Sequence, residues 1–159
     1  MSESSGIEEP GWGRDSLRIV RKGELDSNTP QTAGMTRAEA ISYAKAGARK
    51  LWAGTVVVHP NAKTGPHHHG ELETVIYIVS GRARFRWGSH LEYMGEAGPG
   101  DFVYVPPFLP HQELNARKDE PVEAVIVRSG QEAIVVNLNM PSPEDDPAAA
   151  EPDPFHSAG

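Results

Sequence analysis

Residues 65–81 read GPHHHGELETVIYIVSG, in which three histidines and two acids precede a β-branched run that ends in glycine. In an extended chain alternate side chains share a face, so His67 and His69 can point to one side while His68 points to the other. Two imidazoles on one face supply half of a metal site. The stretch therefore predicts that nitrogen ligands are carried into the interior of a β structure.

Short runs of similar composition fill the chain on both sides of this stretch. They are rich in valine, isoleucine and aromatic residues and are separated by glycine, proline or asparagine, which is typical of strands. Seven or more short strands and a single helix predict an all-β fold, an antiparallel sandwich or barrel. The runs are LWAGTVVVH (51–59), TVIYIVS (74–80), ARFRW (83–87), LEYMG (91–95), DFVYVP (101–106), VEAVIVRS (122–129) and EAIVVNL (132–138).

One short helix is predicted ahead of these strands. Thr36 and Glu39 have the spacing of a capping box and precede a run rich in alanine, and Gly47 is placed to end the helix. We therefore expect a helix over residues 36–46, packed outside the barrel.

A third histidine follows the run DFVYVP. His111 comes after a proline-bounded turn, so a neighbouring antiparallel strand could deliver it to the same point as His67 and His69. The chain contains no cysteine, so a metal ion would have to be held by nitrogen and oxygen ligands.

These residues resemble the two signature motifs of the cupin superfamily. The first motif, a His-x-His pair followed by a glutamate and a glycine, corresponds to the stretch from His67 through His69 to Gly81. The second motif corresponds to Gly100, Pro106, His111 and Asn115 at the expected spacings. The resemblance implies an antiparallel jelly-roll barrel in a single domain over residues 14–140, with the motif-bearing core at residues 50–137.

Two departures from the motifs bear on the site. Phe108 stands where the second motif has glycine, which predicts an aromatic side chain at the pocket mouth and a turn of different conformation. In the first motif, counting back from Gly81 gives Thr74 in the acid position, whereas counting from His69 gives Glu73. Because neighbours on a strand face opposite sides, only one of these two can face a metal unless a bulge intervenes.

Two site models therefore stay open. In one, a metal ion is bound by His67, His69, His111 and Glu73. In the other, the three histidines form a facial site with open positions for water, substrate or oxygen, which resembles the metal centres of cupin thiol and diketone dioxygenases. Either model implies one divalent ion, and histidine and carboxylate ligands suit iron, manganese, nickel, cobalt or zinc.

The resemblance implies a metal-dependent enzyme that acts on a small organic molecule, with dioxygenase-like chemistry favoured. The alternatives are a ligand-binding or sensor protein without turnover, and an isomerase or epimerase. No acid, base or nucleophile outside the metal shell is marked by the sequence, so the catalytic residues stay unassigned. Cupins of this size are commonly homodimers, and the segment LRIVRK (17–22) could add a strand to a partner's sheet.

The net charge of −7 belongs to the two ends of the chain. Residues 1–13 and 141–159 contain eight acids and no Lys or Arg, which leaves 15 basic residues against 14 acidic ones between them. Both ends have the composition of disordered tails, and the second is acidic and proline-rich. A nearly neutral middle lacks the basic excess that nucleic-acid binding requires. Because no apolar run could span a membrane and the N-terminus is acidic, a cytoplasmic protein is predicted.

Arginine alternates with apolar residues in the run ARFRW and just before it. Arg82, Arg84 and Arg86 therefore share one face of a strand, and their partners claim the core. We interpret the three as a solvent-facing stripe rather than as an anion-binding wall.

Overall fold

A computed structural model describes residues 16–143, 150–151 and 153. Within them the chain forms two five-stranded antiparallel sheets, which confirms the predicted all-β class. The tail predicted at residues 1–13 and most of the tail predicted at 141–159 lie outside the described residues.

The first sheet has the order β1-β2-β9-β4-β7 and the second the order β10-β3-β8-β5-β6. Non-consecutive strands are therefore neighbours in both sheets, as in a jelly roll. The elements are β1 (Met35–Ile41), α1 (Tyr43–Ala46), β2 (Trp52–Val58), β3 (His67–His68), β4 (Thr74–Ser80), β5 (Ala83–Trp87), β6 (Tyr93–Ala97), β7 (Phe102–Val105), β8 (His111–Asn115), β9 (Val122–Arg128) and β10 (Val136–Asn137).

The hydrophobic core lies between the sheets because alternate side chains of each strand are buried. In β4, for example, Thr74, Ile76 and Ile78 are buried, whereas Val75 and Val79 are exposed. One continuous cluster joins the inner faces of both sheets. Its members are Met35, Trp52, Val56, Val58, Ile76, Ile78, Ala83, Phe85, Ala97, Val105, Val122, Ala124 and Ile126.

The helix predicted over residues 36–46 is wrong in extent. Residues 35–41 form strand β1, paired with β2, and only the four residues of α1 are helical. Glu39 does not act in a capping box but accepts a hydrogen bond from the Trp52 indole at 2.7 Å. Ser42 caps α1 instead, and Gly47 ends it in the left-handed conformation, as predicted. Pairing with β2 has outweighed the local helix signal.

The arginine stripe is correct only in part. Arg82 and Arg84 lie on the outer face and pair with Glu96. Arg86 is 2% exposed, and it donates a hydrogen bond to the Leu91 carbonyl at 2.8 Å, so the loop after β5 covers it.

The turn between β4 and β5 explains the glycine that ends the first motif. Gly81 has φ 84, and a Cβ atom there would lie 2.4 Å from the Pro121 carbonyl oxygen. Any other residue would therefore push β4 away from the strand that follows Pro121.

No helix among the described residues is long and apolar enough to cross a membrane. The LRIVRK segment forms no strand, and Leu17 and Ile19 are exposed. The homodimer and the cytoplasmic location stay predictions.

Candidate metal centre

Three histidines converge where β3 meets β8. His67 and His111 are paired across the two strands, and their ring centroids lie 4.4 Å apart. The ring of His69, one residue beyond β3, lies 4.9 Å from His67 and 5.1 Å from His111. The tertiary fold thus brings together the three histidines that the sequence singled out.

Glu113 completes the group. One ligand atom from each of His67, His69, His111 and Glu113 lies within 4.8 Å of the other three. All four side chains are buried or half-buried. Three nitrogen donors and one carboxylate at this separation are the ligand types and spacing of a divalent metal site.

The hydrogen bonds of the rings orient their free nitrogens. The Nδ1 atoms of His67, His69 and His111 lie 2.7, 2.8 and 2.9 Å from the backbone carbonyl oxygens of Gly65, Ile134 and Leu109. A carbonyl oxygen can only accept, so each Nδ1 carries a proton and donates it. Each neutral ring therefore keeps its lone pair on Nε2, as metal-binding histidines do.

One of these nitrogens is left without a hydrogen bond. His111 Nε2 is buried and has no partner within hydrogen-bonding geometry among the described residues. Glu113 Oε1 lies 3.5 Å from it, which is too long for a good hydrogen bond. A buried nitrogen in this state is costly unless something binds it. A cation between the rings and the carboxylate would bind it, so the residues present fit a metal ion.

The electrostatics of the group favour the metal-binding forms of His67, His69 and Glu113, whereas His111 must lose a proton to bind a metal ion. Burial lowers the pKa of His67, and it lowers the pKa of His69 to about 4, so both are neutral near pH 7. Burial also acts to lower the pKa of His111, but the neighbouring Glu113 carboxylate outweighs it and raises the value. Burial would raise the pKa of Glu113, yet His111, His67 and Arg37 hold it down to about 2. The carboxylate is therefore ionised.

Glu73 is not part of this group, so the structure does not support the four-ligand arrangement built on it. It lies on the exposed outer face, where its carboxylate accepts a hydrogen bond from the Tyr104 hydroxyl at 2.6 Å. Its neighbour Thr74 faces the interior and is buried. No bulge is present at the start of β4, because Thr74 to Tyr77 pair with β7 without a shift in register.

Glu113 is the site residue that the sequence reasoning missed. It follows His111 by two positions in a strand, so both side chains share a face by the same rule that joined His67 and His69. The motif resemblance indicates the acid after His69 instead, which is Glu73.

The backbone at Phe108 differs from the expectation. Its φ is 60, the left-handed region that glycine favours, so the turn has not changed conformation to suit the larger residue. That conformation costs a non-glycine residue about 1–2 kcal/mol. The Phe108 ring is 62% exposed and lies 5.8 Å from the ring of His68. His68 itself points away from the group and accepts a hydrogen bond from the Gly70 amide.

A cavity of about 730 Å³ adjoins the group at His111. It opens between strands β6 and β7, which are edge strands of the two sheets. Apolar and aromatic residues form most of its wall, among them Phe85, Trp87, Val103, Val105 and Leu109. A molecule in this space would have one end next to His111, the member of the group that lines the cavity.

Comparison with known proteins agrees with this architecture. The family model described as "Cupin domain" matches residues 54–128, a segment that includes His67, His69, His111 and Glu113. No curated protein matches the sequence.

Similar solved structures share the fold at low sequence identity. The polyketide cyclase RemF from Streptomyces resistomycificus has a TM-score of 0.64 and 22% identity over 83% of this chain and 90% of its own. An uncharacterised Klebsiella pneumoniae protein with a double-stranded β-helix domain has a TM-score of 0.58 and 19% identity over 77% and 97%. A variant of Bacillus subtilis oxalate decarboxylase has a TM-score of 0.59 and 24% identity over 69% of this chain but only 29% of its own.

Proposed function

Residues 54–128 make this chain a cupin-domain protein, and from that premise we propose that it is a divalent-metal-dependent enzyme acting on a small organic molecule. His67, His69 and His111 bind the ion through Nε2, and the Glu113 carboxylate is the fourth protein ligand. Dioxygenase-like chemistry is the favoured activity.

The observation that supports the metal site best is the set of three Nδ1 contacts with carbonyl oxygens. A histidine that is merely packed in a core could direct either nitrogen inward. Here all three rings are held in the same tautomer, with Nε2 directed at a buried carboxylate.

An ion held by His67, His69, His111 and Glu113 would supply Lewis-acid chemistry or, if redox-active, electron-transfer chemistry to a bound substrate. The residues of the chain determine how many ligand positions stay open and how polar the surroundings are. Three neutral imidazoles and one carboxylate supply few enough donors to leave positions for exogenous ligands. The apolar wall beside His111 makes one side of the group less polar, which strengthens the electrostatic interactions within it.

Two of the similar structures are enzymes, but they do not identify a reaction for this chain. RemF is a cyclase and the Bacillus subtilis protein is a decarboxylase, so related folds support different chemistries. We therefore take only the fold from them. The size of the cavity favours a substrate larger than oxalate, because pockets of about 300–1,000 Å³ accommodate drug-sized molecules.

The test is the metal content of anaerobically purified protein, followed by oxygen uptake with a panel of thiols, diketones, flavonols and phenols. We expect about one divalent ion per chain and oxygen consumption with at least one substrate class. Metal without turnover on any of them would favour a ligand receptor, and absence of metal under these conditions would refute the proposal.

A further inference from the structure

The cavity beside His111 has an apolar inner wall. Phe85 and Val105 belong to the hydrophobic core, and Val103 and Leu109 pack against it. His111 is the polar group at the inner end, so a ligand that fills the cavity meets mainly carbon atoms before it meets the proposed metal site. Such a wall favours rings and alkyl groups.

The C-terminal segment contributes to the outer wall. Glu151 forms a parallel bridge with Tyr93 of β6, and its amide donates a hydrogen bond to the Glu92 carbonyl at 2.8 Å. Two residues on, the half-buried Asp153 lines the cavity and accepts a hydrogen bond from the Trp87 indole at 2.6 Å. Glu151 thus lies against β6, an edge strand that would otherwise be more exposed.

Trp87 is held against the sheet by this contact. A Cβ atom added at Gly95 would come within 3.2–3.3 Å of the tip of the indole, so the ring lies over the strand where glycine leaves room. An indole whose N–H is paired and whose face lies on a strand is a rigid wall for a planar ligand. Asp153 therefore acts on the cavity through Trp87.

The charges of the wall disfavour anions. Its acidic members are Glu96, Asp101 and Asp153, and the described lining residues include no Lys or Arg. Arg82 and Arg84 pair with Glu96 from outside the lining, so Asp101 and Asp153 contribute most of the negative charge. A carboxylate or sulfonate placed among acidic groups is repelled and pays for desolvation without a cationic partner.

We propose that this cavity binds an uncharged, ring-containing apolar molecule, and that Asp153 is a positioning residue that holds Trp87 as the outer wall. The inference rests on the proposed function only in placing the polar end of the ligand at His111. The substrate class that the cavity favours is an uncharged aromatic or polycyclic compound rather than a small dicarboxylate.

A matched pair of fluorescent probes tests the ligand class. N-phenyl-1-naphthylamine is uncharged, and 8-anilino-1-naphthalenesulfonate has the same rings with a sulfonate added. Both are titrated into the full chain, once metal-loaded and once chelator-treated. We expect saturable binding of the uncharged probe in both states, and binding of the sulfonate weaker by about tenfold or more. Equal binding of the two probes, or none of either, would overturn the proposal.

Point variants test the role of Asp153. Asp153→Ala should weaken binding of the uncharged probe by about two- to tenfold, the effect expected for one hydrogen bond. Asp153→Asn keeps an acceptor and should restore most of the affinity. Glu151→Ala is the matched control, because Glu151 makes its hydrogen bond to Glu92 through the backbone.

Trp87→Phe keeps an aromatic ring and removes the N–H group that Asp153 accepts from. It should weaken binding of the uncharged probe about as much as Asp153→Ala does. The double variant should lose no more than either single one. Additive losses, or equal losses in Asp153→Ala and Glu151→Ala, would show that Asp153 does not act through Trp87.

The probe assay separates this inference from the proposed function. Binding of the uncharged probe by a protein that never acquires metal would support the cavity and refute the metalloenzyme. Metal binding without probe binding would do the reverse.

Discussion

Glu113 and Glu96 each lie beside basic side chains, but one is buried and the other is in contact with solvent. Glu113 lies among three histidines between the sheets, whereas Glu96 lies on the outer face and pairs with Arg82 and Arg84. Glu113 has its pKa held at about 2 against the opposing effect of burial. Glu96 also has a lowered pKa, because its arginine contacts outweigh its partial burial.

The difference shows what burial adds to a charge. The inner group cannot exchange its partners for water, so each donor and acceptor must be satisfied by the protein or by a ligand. The outer group is in contact with solvent, and water replaces a lost partner at little cost. The predictions below test this contrast, beginning with the largest expected effect.

Removal of one inner imidazole should have the largest effect. His69→Ala should lower the affinity for Zn(II) or Co(II) by more than about 100-fold, since outer-shell partners of a metal alone contribute about 10–100-fold. Titration calorimetry measures the change. His68→Ala is the matched control, because His68 points away from the group, and it should bind metal like the wild type. The opposite result would mean that the inward-facing histidines have been misassigned.

Metal binding should also stabilise the inner group, because it fills a site that the unfolded chain lacks. At a free metal concentration of 100 times the dissociation constant, the free energy of unfolding should rise by about 2.7 kcal/mol. Urea denaturation with and without metal measures the difference. His69→Ala should show little of this stabilisation, and an equal gain in that variant would indicate metal binding elsewhere.

A smaller effect distinguishes the two candidate acids. Glu113→Gln should lower the metal affinity by about 10–100-fold because a neutral amide replaces an ionised carboxylate of nearly the same shape. Glu73→Gln should leave the affinity unchanged, since Glu73 lies on the outer face. If Glu73→Gln strips the metal and Glu113→Gln does not, β4 must be placed differently from the arrangement described here.

The smallest effect belongs to the outer group. Glu96→Gln should lower the free energy of unfolding by about 0.2–1 kcal/mol at pH 7, because exposed ion pairs contribute little. The pKa of Glu96 is lowered on folding from its ordinary 4.5, so this stabilisation is present above that pH and is lost as the pH falls through the folded value. Urea titrations at pH 7 and at a series of lower pH values should show that the difference between the variant and the wild type shrinks as the pH falls. A loss as large as that of a buried ion pair would contradict the contrast between the two groups.

The sequence alone predicted the all-β fold and singled out the three histidines that the fold brings together. Alternating β-branched runs indicated strands that the structure confirms, such as β4 and β9, because a half-buried strand needs a period of two. The same period placed His67 and His69 on one face, and it would have placed Glu113 beside His111. These are local patterns, and a single stretch of chain contains all the information they need.

Local patterns gave wrong predictions where contacts with distant residues determine the secondary structure or the burial of a side chain. The capping signal at Thr36 and Glu39 predicted a helix, but pairing with β2 and a hydrogen bond to Trp52 made this segment a strand. Arg86 belongs to an alternating arginine stripe, yet the loop that carries Leu91 buries it. The periodicity of a segment does not indicate which other part of the chain will cover it.

The choice between Glu73 and Glu113 shows the same limit inside the site. The sequence by itself determined a β-rich domain with three histidines suited to one metal ion, because residue type and period are properties of the chain. Tertiary structure decided which acid faces them and placed Asp153 on Trp87. Those outcomes depend on strand register and on contacts between residues far apart in the chain, which form only when the two sheets close around a common core.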